Sequence, residues 1–206
     1  MKRLFLICLS LFFSTTTLAA KEGRFVQKDN IFPRVEIVTS LGSIVIELDR
    51  SKAPITANNF LTYVMDKSYQ GSVFHRIERD VENDRDFVIQ GGGYDKDYDG
   101  LHENDPIFNE SGNGLKNDMY SIAMAYQDRQ PHSGTRQFFF NMDDNDHLNP
   151  GREWGFAVFG NVMDGYDTLD KIMAVKTGFN EKIGYDFVPK EPVVILNIKL
   201  LEQVPL

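Results

Sequence analysis

The sequence predicts a mainly β protein: a closed antiparallel barrel of about eight strands, accompanied by two helices. Three observations carry this. Short runs rich in β-branched and aromatic residues, bounded by turn residues, recur between Val35 and Leu201 and read as strands. Only Ile55–Met65 and Tyr166–Val175 set apolar residues at helical spacing. Strands and helices do not alternate, which argues against a parallel sheet and for antiparallel strands whose edges are removed by closure. At 206 residues, 42% hydrophobic and 25% charged, the chain suits one globular domain with a sizeable core.

The amino terminus stands apart. Lys2-Arg3 is a basic start, Leu4 to Phe13 is apolar, and Thr17-Leu18-Ala19-Ala20 supplies small residues for cleavage. This pattern predicts a secretory signal over 1–20, its apolar run too short for a comfortable membrane span. A loose, polar leader follows over 21–34, then one domain over 35–203. Cleavage removes Cys8, the only cysteine, so the mature protein has neither disulfide nor thiol ligand. It also removes Lys2 and Arg3, leaving 20 basic against 30 acidic residues, about −10. That balance argues against nucleic acid and anionic membranes as partners. The expected setting is the periplasm or another secreted compartment, and the expected state a monomer.

Val35–Thr39 and Ser43–Leu48 alternate around the Leu41-Gly42 turn and predict a hairpin. Pro54 sits where a helix loses nothing by its missing N–H, opening the first helix. Two strands follow. Phe74-His75-Arg76-Ile77 carries Arg76, and Phe87-Val88-Ile89-Gln90 carries Gln90, polar groups costly to bury without partners. Strict alternation puts Phe74 with Arg76 on one face and His75, read as a satisfied core histidine, on the other. Between the two strands, Glu78 to Asp86 is a charged excursion, either a hairpin reaching into solvent or a loop folding over the neighbouring groove. Further strands are expected from Ile107, before Ala125, over Gln137–Met142 and over Gly155–Val162. A closing strand, Val193–Leu201, is expected to align Val194, Leu196, Ile198 and Leu200 on one face. Asp95, Asp97 and Asp99 with Gly100 match the first half of a calcium loop, but Pro106 stands where a bidentate Glu is required, so calcium is only a weak candidate there. No cofactor is expected, and the scattered His75, His102, His132 and His147 lack zinc spacing.

Five motifs stand in register: Phe74-His75-Arg76, Phe87 to Gly92, Met124-Ala125, Gln137-Phe138-Phe139 and Val158-Phe159-Gly160. Together they resemble the cyclophilin family of peptidyl-prolyl isomerases, with Asn109-Glu110 and Asn113-Gly114-Leu115 similar to its bacterial, secreted branch. The resemblance covers about Val35 to Leu201. It implies a cyclophilin-like eight-stranded barrel with two capping α-helices, and an enzyme that speeds X–Pro isomerisation in exported polypeptides. Against that family pattern, Glu78–Asp86 is an insertion of about six residues.

The chemistry this implies needs neither nucleophile nor metal. An amide resists rotation by about 18–20 kcal/mol through its double-bond character, and X–Pro isomers exchange slowly. A catalyst must favour the twisted amide, whose prolyl nitrogen regains its lone pair. A guanidinium placed to donate there lowers the barrier, and Arg76 is permanently charged with donors of fixed geometry. By resemblance, Arg76, Phe87 and Gln90 form the catalytic centre. Phe87, Val88, Phe139, Leu148 and Phe156 hold the proline ring, Gln90 and the Ala125-Tyr126 backbone hold the peptide, and Gln137 supports Arg76 by hydrogen bonds. Val88 replaces the family's usual Met. The position of the tryptophan that binds cyclosporin falls on His147 rather than Trp154, which implies weak cyclosporin sensitivity. Arg136, where a small residue is usual, either faces the groove or points outward. A reading from another class is a module or chaperone that binds proline segments with little turnover.

Overall fold

Alternating apolar residues at the start of the domain pair across the first turn. The computed structural model describes residues 26–80, 82 and 85–203; the expected signal and residues 21–25 of the leader lie outside them. Strand β1 (Arg34–Thr39) pairs antiparallel with β2 (Gly42–Leu48), and the register sets Val35 opposite Ile46 and Ile37 opposite Ile44, all buried. Period-2 alternation therefore supplies one wall of the core directly. Helix α1 (Pro54–Met65) follows, then β3 (Ser72–Asp80), β4 (Arg85–Asp95), β5 (Ser121–Met124), β6 (Phe138–Asn141) and β7 (Ala157–Asp164). After helix α2 (Tyr166–Met173) come β8 (Thr177–Asn180), β9 (Tyr185–Pro189) and β10 (Val193–Leu200). Eight strands close in the order β1-β10-β3-β4-β6-β5-β7-β2, and β8-β9 forms a separate hairpin. The predicted closed antiparallel barrel with two helices is thus observed. No helix among the described residues is long and apolar enough to cross a membrane.

Phe60 from α1 reaches into the barrel interior, 5.4 Å from Phe138 and 5.5 Å from Phe159, while Leu169, Ile172 and Met173 of α2 join the same core. Aromatic rings that meet edge-to-face, as Phe60 and Phe138 do, gain beyond their buried area.

Several expectations change. No strand starts at Ile107, which makes only an isolated bridge to Gly134. The β8-β9 hairpin was not expected. In β10 a bulge opposite Val38/Thr39 breaks the alternation, so Val193, Ile195 and Ile198 turn inward while Leu196 is exposed. The described part of the leader is not loose. Arg50, itself buried, donates to the carbonyls of Val26, Gln27 and Asn30, and Gln27 donates to the Leu201 carbonyl. The charged excursion is a hairpin extension: Glu78 pairs with Val88, Arg79 with Asp86 and Asp80 with Arg85.

Candidate active site

The middle one of three consecutive phenylalanines forms the floor of the site. On β6, Phe138 and Phe140 point into the barrel core and Phe139 points outward, where it joins Val88, Ala123 and Val158 in a second buried cluster. Phe87, Leu115, Ala125, Leu148 and Phe156 pack around that cluster. The barrel wall over β4, β5, β6 and β7 is therefore apolar on both faces.

Two bulges aim the polar residues. On β3, Phe74 pairs with Gly91 but Arg76 pairs with Gln90, so His75 is an extra residue. On β4, Val88 pairs with Glu78 but Asp86 pairs with Arg79, so Phe87 is extra. Bulges re-aim side chains, and these two bracket the Arg76–Gln90 pair. The first corrects the expected facing: Phe74 and Ile77 enter the core, while Arg76 and Glu78 line the outer hollow.

That hollow, about 200 Å³, is bounded by Arg76, Glu78 and Gln90 on its polar side and by the apolar cluster on the other, with Tyr126 and Tyr185 at its ends. Arg76 Nη2 lies 2.8 Å from Glu78 Oε2, its guanidinium stands 5.9 Å from the centre of the Tyr185 ring, and its buried Nε has no hydrogen-bond partner. Gln90 Nε2 donates to Gln137 Oε1 at 3.0 Å. A Cβ on Gly93 would lie 2.6 Å from the Gln137 side chain, so the glycine leaves room for that pair. Gly92, with φ of +89°, adopts a conformation suited to glycine and turns the strand beneath it.

An apolar hollow with a cation at its lip matches the family pattern found along the chain. The family model described as cyclophilin type peptidyl-prolyl cis-trans isomerase/CLD matches residues 34–200. The chain belongs to the cyclophilin family. It is 46% identical to peptidyl-prolyl cis-trans isomerase cyp18 of Streptomyces antibioticus over 81% of this chain and 98% of that protein. It is 42% identical to peptidyl-prolyl cis-trans isomerase B of Escherichia coli K12 over 80% and 97%. A Cryptosporidium parvum cyclophilin type peptidyl-prolyl cis-trans isomerase shares the fold, with a TM-score of 0.66 at 23% identity over 84% of this chain and 99% of that one. It was also solved in the presence of the dipeptide Ala-Pro. This cyclophilin is a peptidyl-prolyl cis-trans isomerase.

Most expected site residues meet in the hollow: Arg76, Phe87, Val88, Gln90, Ala125, Tyr126, Phe139, Leu148 and Phe156. Gln137 lines an adjoining hollow of about 250 Å³ that shares Gln90, Ala125 and Tyr126. Its hydrogen bond is to Gln90 rather than to Arg76, because β3 directs Arg76 toward Glu78 two residues on. His147 stacks on Phe87 at 5.2 Å, outside the residues lining the hollow. Arg136 neither faces the groove nor points outward. It is buried, donates to the carbonyls of His102 and Ser68, and lies between the rings of Tyr63 and Tyr69. His75 is buried, with Tyr94 meeting it edge-on at 4.8 Å; neither ring nitrogen has a hydrogen bond of good geometry, and the Val73 backbone offers it only a weak one. Burial, with the Arg76 charge adding to it, lowers its pKa to about 4.

The carboxylates of the acidic loop, the weak calcium candidate, have partners within the protein. Asp95 accepts from the backbone N–H groups of Asp97 and Asp99, while Lys96 and Lys182 pair with Asp97 and Asp99. No group of three acidic, His or Cys residues among the described residues is placed to hold a metal ion.

Sequence reading missed Glu78 and Tyr185, and it missed the asparagines that brace the walls. Asn117 donates to the carbonyls of Leu148 and Phe156, Asn145 to that of Phe87, and Asn141 to Asn117 and Ser121. A buried amide satisfied by backbone carbonyls fixes a loop as a turn would. The density of Asn between 109 and 149 was the available signal.

Proposed function

We propose that this isomerase works on exported polypeptides by seating the proline ring on Phe139 and its neighbours while Arg76 donates to the prolyl nitrogen of the twisted amide. The carrying observation is the guanidinium of Arg76 on the rim of an apolar hollow floored by Val88 and Phe139. That nitrogen accepts a hydrogen bond only when amide resonance is broken, so the donor acts mainly on the transition state. Gln90 and the Ala125 backbone hold the flanking peptide. The relatives at 46% and 42% identity, both named peptidyl-prolyl cis-trans isomerases, support an X–Pro substrate. The basic, apolar and small-residue pattern of residues 1–20 supports export and cleavage, which would deliver the protein to the periplasm or another secreted compartment.

The test is a coupled assay of cis-to-trans conversion in a short X–Pro peptide with the mature protein and its Arg76→Ala variant. Loss of kcat/KM by about a hundredfold with peptide binding kept is expected. A variant as fast as the parent would remove Arg76 from the mechanism. Absence of acceleration in the parent, with peptide still bound, would leave a proline-binding module.

A further inference from the structure

Among the described residues Arg76 has one ion-pair partner, and it comes from its own strand. Residues two apart on a strand share a face, so Glu78 stands beside Arg76 between the bulges at His75 and Phe87. The carboxylate meets Nη2 at 2.8 Å, with the side chains 34% and 22% exposed. Tyr185 stands over the guanidinium at 5.9 Å. The other polar groups nearby are engaged elsewhere: Gln90 with Gln137, and Arg79 with Asp86 and the Met173 carbonyl. Glu78 is thus the acidic group, among the described residues, that meets the guanidinium directly.

We propose that Glu78 is a positioning residue for Arg76, orienting its free donors toward the prolyl nitrogen. The inference rests on the role of Arg76 proposed above. An unrestrained arginine spreads over many rotamers, and misplacing a reacting group by about 1 Å costs up to a hundredfold in rate. A carboxylate so close also offsets part of the guanidinium charge, which works against catalysis. Both side chains are partly solvated, so that offset is screened, and orientation outweighs it. A glutamine would keep the accepting oxygen at the same reach without the charge. A neutral isostere is therefore expected to retain function where truncation does not.

The test measures kcat/KM and peptide Kd for the parent, Glu78→Ala, Glu78→Gln, Arg76→Ala and the double variant Arg76→Ala/Glu78→Ala. Glu78→Ala is expected to lower kcat/KM about fivefold with Kd changed less than about twofold, and Glu78→Gln to stay within about twofold of the parent. Because Glu78 acts through Arg76, the double variant should match Arg76→Ala within about twofold. Parental activity in Glu78→Ala would overturn the inference, as would a glutamine variant as slow as the alanine one. So would an equal further loss in the Arg76→Ala background. If Arg76→Ala itself keeps parental activity, the Arg76 mechanism falls and takes this inference with it.

Discussion

His75 shows what one inserted residue does. As the extra residue of the β3 bulge it lets Arg76 face the groove, and its own imidazole is buried against Tyr94 and Tyr185. There desolvation holds its pKa at about 4 against an ordinary 6.5. The folded protein therefore binds this proton less readily than the unfolded chain. Its contribution is intact above pH 6.5 and is lost progressively as pH falls to about 4. The shift corresponds to roughly 3 kcal/mol at most. Urea unfolding at stepped pH should show this loss in the parent, while His75→Gln, which cannot take up a proton, should have a flatter profile over the same window. Equal slopes would show that His75 titrates alike in both states. Arg136, next to a proposed site residue in sequence, makes the opposite point: its two carbonyl bonds and flanking tyrosines give it a structural role away from the groove.

At the scale of elements, helix α1 starts without a cap of its own. Ala53 has no side chain to accept from the first amides. Glu110, 54 residues after Thr56, supplies the missing acceptor, taking bonds from the N–H groups of Ile55 and Thr56 and from the Thr56 hydroxyl. A carboxylate at a helix N-terminus satisfies unpaired donors and meets the positive end of the helix dipole. Glu110→Ala should destabilise the protein by about 1–2 kcal/mol in a denaturation curve. A variant as stable as the parent would show that water replaces the carboxylate without cost. The same long loop explains one misreading. Ile107 is apolar and looks like a strand, but the segment is held by side chains, Asn109 and Asn113 donating to the carbonyls of Gly155 and Val158. Elements whose pattern follows their burial were legible, as in the β1-β2 hairpin. The β8-β9 hairpin was not, because Thr177–Asn180 has no buried residue and so no alternation to read. In β10 the bulge shifted the register, and alternation counted through it put Leu196 on the wrong face.

Across the whole molecule, the apolar half of the site was legible and its polar connections were not. Phe139, Val88 and Phe156 announce themselves by residue type and by register with the family motifs. Which acceptor takes the guanidinium of Arg76 depends on side-chain direction after two bulges, and neither bulge leaves a mark in residue type. Tyr185 reaches the groove only because the chain returns after β8, a juxtaposition that spacing cannot express. One further residue follows from the same long-range folding. Trp154, exposed and far from the β4 motif in sequence, shares a broad hollow of about 680 Å³ with Tyr126 and Phe156, and Tyr126 Oη donates to its carbonyl at 3.1 Å. It is also the sole tryptophan of the chain. The protein thus carries one tryptophan fluorophore, at the edge of its groove, whose emission can be excited apart from that of the tyrosines. Titration with a proline peptide should change the emission maximum or intensity in a saturable way, giving a label-free readout of occupancy. A spectrum unmoved by a saturating peptide would show that bound chains leave the groove on the side away from Trp154.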